Sequence, residues 1–138
     1  MTIDEVLQKA QTIRQNLDDL AAIPQDSFAA FAADPRNLHA TLHLLQTSIQ
    51  ALIDIGSLHC ARLGLRTPKS SHEVFVTLEA DAQLPKGTAD RMGPMVGFRN
   101  RVVHLYDRID PVRVFEVLIR QRPDLADCLR LLLAIDAG

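Results

Sequence analysis

The segment from Pro35 to Leu63 constrains this chain more than any other. It opens on Asp34-Pro35, an N-cap followed by proline at the first helical position, where a missing N–H costs nothing. Gly64 supplies the stop. Between these signals one apolar stripe runs through Leu38, Leu42, Leu45, Ile49, Leu52 and Ile53, and a second through Leu44, Ala51, Ile55 and Leu58. A helix apolar on two sides is central to a bundle, or shared between a bundle and a partner. Gly56 allows a neighbour to approach it closely.

Other helical segments supply that bundle. Ile3, Val6, Leu7, Ala10, Ile13, Leu17 and Leu20 recur at three- and four-residue steps, so the spacing predicts an amphipathic helix over Thr2–Ala22. Thr2 and Glu5 form a capping box at its start, and Pro24 ends it. Asp26 to Ala33 reads as a short helical turn with Phe28 and Phe31 facing the core. A short helix follows over Ser71–Ala80, capped by Ser70 or Ser71 and carrying Val74, Phe75 and Leu78. After the Leu84–Gly87 turn, Thr88 opens a helix that Pro94 is expected to kink or restart near Gly93, because proline inside a helix costs about 3 kcal/mol. That helix frays near Tyr106–Asp107. Asp110-Pro111 repeats the start signal, and the last helix runs to about Ala134, with a bend or break expected at Pro123. With no convincing strand and no internal repeat, the pattern is an all-α bundle of four to five helices in one domain.

Bulk properties narrow the function classes. In 138 residues, a hydrophobic fraction of 47% fits a folded domain rather than a disordered chain. No apolar run spans a bilayer and no secretory pattern is visible, so a cytoplasmic location is expected. Cys60 and Cys128 have neither a close pairing nor metal-like spacing and read as buried small hydrophobes. A net charge of −2 argues against a generally basic nucleic-acid binder, but the charge is uneven: residues 1–34 carry −4 and residues 86–113 carry +3. A local cationic patch can hold an anionic ligand.

The positive end coincides with the stretch Gly97-Phe98-Arg99-Asn100-Arg101-Val102-Val103-His104-Leu105-Tyr106. A guanidinium offers a planar fork of donors suited to phosphate, an imidazole moves protons near neutral pH, and Asn100 and Tyr106 add an amide and a phenol. In an unbroken helix, residues five apart differ by about 140°. Arg99 and His104 then need a long reach, a helix end just before His104, or a second subunit; a two-fold dimer would double every charge at its axis.

Elsewhere, His39 and His43 have a spacing that can hold a metal, yet no third ligand is near in sequence, and they read as a solvated or capping pair. Asp54 is either a buried partner for an arginine or a polar residue on a free face. His59 reads as a packed core-edge histidine. Gly93 and Gly97 permit a close helix crossing. Lys86-Gly87-Thr88 lacks the upstream glycines of a phosphate loop, which argues against nucleotide hydrolysis.

The sequence resembles the HepT-like branch of the HEPN superfamily, ribonuclease toxins of bacterial and archaeal toxin–antitoxin pairs. The resemblance rests on Arg99, His104 and Tyr106 as Arg, four residues, His, one residue, Tyr. It is reinforced by Gly97–His104, Ala51–Gly56, Asp34-Pro35-Arg36 and Ile109-Asp110-Pro111, and covers nearly the whole chain. Pro94 and Pro123 depart from the family pattern. The resemblance implies a dimer whose motif helices face a shared cleft, and a metal-independent endoribonuclease without cofactor. Arg99, His104 and Asn100 would be the catalytic residues, with Arg101 and Asp54 in supporting roles and tRNA or mRNA as substrate. It also implies a type VII-like system in which a minimal nucleotidyltransferase antitoxin of the MntA type adenylylates Tyr106. The other readings are a non-catalytic helical module that binds a nucleotide or a partner, and a purely structural dimer.

Overall fold

In the computed structural model, which describes residues 3–135, every regular element is helical. The order is α1 (Ile3–Ala21), α2 (Phe28–Ala32), α3 (Pro35–Arg62), α4 (Ser71–Ala80), α5 (Thr88–Leu105), a 3-10 turn (Tyr106–Arg108) and α6 (Pro111–Leu133). Among the described residues, five helices have ten residues or more, and α2 is a five-residue link between α1 and α3. The expected Thr2 cap lies outside the described residues.

The start signals act as their chemistry requires. Asp34 and Asp110 accept from the backbone N–H groups of Arg36 and Val112, and Ser27 and Ser70 cap α2 and α4 in the same way. At the other end of α3, Gly64 takes φ +68, Gly64 N–H donates to Ala61 and Leu65 N–H to Cys60. This double closure satisfies carbonyls that the helix end leaves open.

Helix α3 is the axis of the bundle, packed by α1, α2, α4, α5 and α6. Its two stripes are therefore both covered: Leu45, Ile49, Leu52 and Ile55 are fully buried. Each such side chain contributes about 1.5–3 kcal/mol through removal from water. At Gly56 the bare backbone makes room for α4, since a Cβ there would stand 2.6 Å from Val74 Cγ1. On α1, buried Asn16 donates to Thr47 and Ser48 of α3 at 3.0 Å each, which fixes α1 against the axis with a polar pin. Phe28 and Phe31 join Phe115 in an aromatic cluster that ties α2 to α6, with centroids 5.2–6.2 Å apart.

Both α5 and α6 continue through their internal prolines, so the restart near Gly93 and the break at Pro123 do not occur. Both rings are exposed, so the carbonyl each leaves unbonded, of Asp90 and of Ile119, lies on an exposed residue and can reach water. Gly93 also removes the Cβ whose clash with a following proline ring disfavours helical backbone. Among the described residues of the chain itself, Gly93 and Gly97 mark no tight crossing. A Cβ at Gly93 meets only His72 at ordinary contact distance, and one at Gly97 meets nothing within 4 Å.

Candidate functional site

The site forms where α5 runs down α3 and ends. Phe98 and Val102 are buried and anchor α5 in the core. With 100° per residue, Gly97, Asn100, Arg101 and His104 then fall within an arc of about 100° on the outward side. Asn100, Arg101 and His104 are exposed. Arg99 projects about 140° away from His104 and is half-buried.

Arg99 is held by two acceptors. Its Nη2 donates to Gln50 Oε1 on α3, and its Nη1 donates to Asn100 Oδ1 at 2.9 Å. Gln50 Nε2 in turn donates to Asp54 Oδ1 at 2.8 Å, and Lys9 of α1 pairs with Asp54 Oδ2 at 3.2 Å. A polar relay thus runs from α1 through α3 to the motif arginine. Asp54 is neither a direct arginine partner nor a residue on a free face; it reaches Arg99 through Gln50. The relay lines one side of an open groove of about 690 Å³, whose walls include Thr12, Gln46 and Arg99.

His104 lies in the last turn of α5, which ends at Leu105, so the helix does not end before it. Among the described residues the side chain of His104 has no hydrogen-bond partner, and the amide nitrogen of Asn100 has none either. Tyr106 sits just beyond, on the 3-10 turn. Its hydroxyl lies 3.3 Å from Nδ1 of His39, and the two rings are nearly parallel at 11° with centroids 6.4 Å apart. Next to Tyr106 in the chain, Val103 and Leu105 are exposed apolar residues, as is Val112 at the start of α6.

The cationic patch is smaller than the charge count suggests. Arg91 is consumed by Asp124 and Asp127 of α6 at 2.9 Å each, and Arg113 pairs with Glu116 at 3.6 Å. Arg101 and Arg108 have no ion-pair partner among the described residues and lie near the end of α5, while Lys86, also without one, lies before its start. No group of three or more His, Cys, Asp and Glu residues is placed to hold a metal among the described residues.

Two residues of the site were not identified from sequence. Gln50 had a local signal, since it lies four residues before Asp54 and so stacks on it in a helix, but nothing connected it to Arg99, 49 positions away. Local spacing pairs His39 only with His43, its helical neighbour, whereas its partner Tyr106 is 67 positions away.

The chain has clear relatives in sequence and in fold. The sequence profile of the family described as "Ribonuclease HepT-like" matches residues 11–132. The tRNA nuclease HepT of Aphanizomenon flos-aquae (strain 2012/KM1/D3) is 32% identical over 107 residues, spanning 78% of this chain and 73% of that protein. In three dimensions, the tri-AMPylated HEPN toxin of Shewanella oneidensis, solved in complex with an MNT antitoxin, superposes with a TM-score of 0.85 at 25% identity, over 97% of this chain and 99% of that one. A toxin–antitoxin complex with AMP-PNP shares the fold at a TM-score of 0.83 and 23% identity, over 96% of this chain and 99% of that chain. With the profile covering most of its length, the chain belongs to the HepT-like ribonuclease family.

Proposed function

We propose that this protein is the toxin of a type VII-like toxin–antitoxin pair, an endoribonuclease acting in the cytoplasm on tRNA or mRNA. The observation that carries the reading is the placement of the motif: His104 and Asn100 face outward at the end of α5 while Gln50 fixes Arg99 against α3. The curated tRNA nuclease among its relatives supports RNA as substrate.

The chemistry needs no metal. A ribose 2′-hydroxyl gives its proton to His104 and attacks the adjacent phosphorus, the bond to the 5′-oxygen breaks with its electron pair on that oxygen, and the oxygen takes a proton from water. The products are a 2′,3′-cyclic phosphate and a 5′-hydroxyl. A general base contributes about 10²–10⁴-fold to such a step. Arg99 stabilises the charge that grows on the phosphoryl oxygens, and the free amide nitrogen of Asn100 faces a phosphate oxygen. Arg101 adds charge to the same face. Dependence on the 2′-hydroxyl selects RNA over DNA. Because Arg99 and His104 diverge on one helix, the complete site is built by two copies. The open outward face around Gly97 supports a homodimer in which the two α5 helices line one cleft.

Control is by covalent modification. A cognate nucleotidyltransferase of the MntA type transfers AMP to Tyr106 and places a bulky anion where the RNA phosphate must lie. The tri-AMPylated relative supports this reading, and Tyr106 is the only phenol in the chain. Two analyses test the proposal. End-group analysis of cleaved RNA is expected to give cyclic phosphate and 5′-hydroxyl ends, and cleavage of a 2′-deoxy substrate would overturn the mechanism. Intact-mass and peptide analysis after co-expression with the transferase is expected to locate AMP on Tyr106; an unmodified Tyr106 would overturn the control.

A further inference from the structure

His39 lies outside the motif, and its contact with Tyr106 lies outside the relay that holds Arg99. We infer that His39 is the catalytic base that activates the Tyr106 hydroxyl for AMP transfer, an inference that rests on Tyr106 being the modified residue. A phenol is a weak nucleophile until a base takes its proton, and a nucleophile within hydrogen-bond reach of an imidazole is the recurring arrangement for this task. Here the reacting oxygen lies 3.3 Å from His39 Nδ1.

The two residues are placed differently. His39 stands on the second turn of α3, a segment fixed on both sides. Asp34 caps the helix start and pairs with Arg36, Asn37 Nδ2 donates to the Phe31 carbonyl at 3.0 Å, and Thr41 donates to the Asn37 carbonyl at 2.7 Å. Tyr106 stands on the short 3-10 turn between α5 and α6 and is nearly half-exposed, at 45%. A base carried on a rigid helix thus faces a nucleophile that a second protein can approach. The two rings lie nearly parallel, which keeps the hydroxyl in reach of the imidazole.

The step balances. The Tyr106 oxygen forms a bond to the α-phosphorus of ATP, and the bond from that phosphorus to the bridging oxygen breaks. Pyrophosphate leaves with the electron pair. The phenol proton passes to Nδ1 of a neutral His39, whose other ring nitrogen carries the proton, and then to water. ATP and the transferase are supplied by the partner.

The test is single-turnover transfer from [α-³²P]ATP by the cognate transferase to the full-length chain, with wild type, His39→Gln, His39→Ala and Tyr106→Phe compared. Circular dichroism confirms folding, which the exposed position of His39 protects. Both His39 variants are expected to slow transfer by about 10²-fold or more. Added imidazole is expected to restore part of the rate to His39→Ala, which a purely structural role would not allow. Transfer at the wild-type rate by His39→Gln, with Tyr106→Phe inert, would overturn the inference and leave the modification of Tyr106 standing. The same result joined to loss of RNA cleavage would reassign His39 to the nuclease reaction. Full labelling of Tyr106→Phe, or no labelling of wild type, would overturn both readings.

Discussion

Gln50 holds Arg99 from the neighbouring helix: its side-chain oxygen accepts from the guanidinium, and its nitrogen donates to Asp54. The motif arginine is therefore aimed by α3 as well as by α5. Gln50→Ala removes the aim without removing the charge. RNA cleavage is expected to fall about 10- to 100-fold, since a displacement of about 1 Å can cost two orders of magnitude. Asp54→Asn keeps an acceptor for Gln50 and loses only a half-exposed pair with Lys9, a class worth about 0–1 kcal/mol. Its effect on cleavage is expected to be several-fold smaller. Equal losses in the two variants, measured as initial cleavage rates, would contradict the relay.

The glycines of α3 and α5 are expected to respond in opposite ways. Gly56→Ala drives a Cβ to within 2.6 Å of buried Val74. Overpacking costs about 1–3 kcal/mol, and the better helix propensity of alanine returns about 1 kcal/mol, so a net loss of about 1 kcal/mol is expected in denaturant melts. Gly97→Leu meets open space and is expected to leave the monomer fold intact. It stands on the face assigned to the second copy, so a smaller species in sedimentation velocity and loss of RNA cleavage are expected together.

His59 is 6% exposed, and burial pushes its imidazole below the ordinary value of 6.5, against opposition from the Leu132 backbone. The folded state binds a proton less readily than the unfolded chain. Stability is then complete above pH 6.5 and declines as pH falls below that value. Thermal melts between pH 7.5 and 5.5 are expected to show this decline in wild type and a flatter profile in His59→Gln.

Both thiols are buried, and burial pushes that of Cys128 up to about 12. Because the thiolate is the reactive form, neither thiol is expected to react with a thiol reagent at pH 8 in the native state. Two equivalents are expected after unfolding in denaturant.

Much of the architecture was readable from local chemistry. The Asp-Pro starts at residues 34–35 and 110–111, the Gly64 stop and the two stripes of α3 depend on neighbours within a few positions, and all appear where expected. The breaks expected at Pro94 and Pro123 do not occur, because a proline in a helix is tolerated when its ring and the freed carbonyl face water, which depends on the packed orientation of the helix. Within the site, the motif was legible, and so was the divergence of Arg99 from His104. The partners that aim it were not. Gln50 meets Arg99, and His39 meets Tyr106, only because α3 and α5 lie side by side, and no spacing along the chain encodes that adjacency.

The central claim is most directly tested by incubating total RNA and tRNA with purified protein made without its partner, with a chelator present, beside folded His104→Ala. Cleavage by wild type and none by the variant is the predicted result. Absence of cleavage by unmodified, folded wild type, or equal cleavage by His104→Ala, would contradict the account.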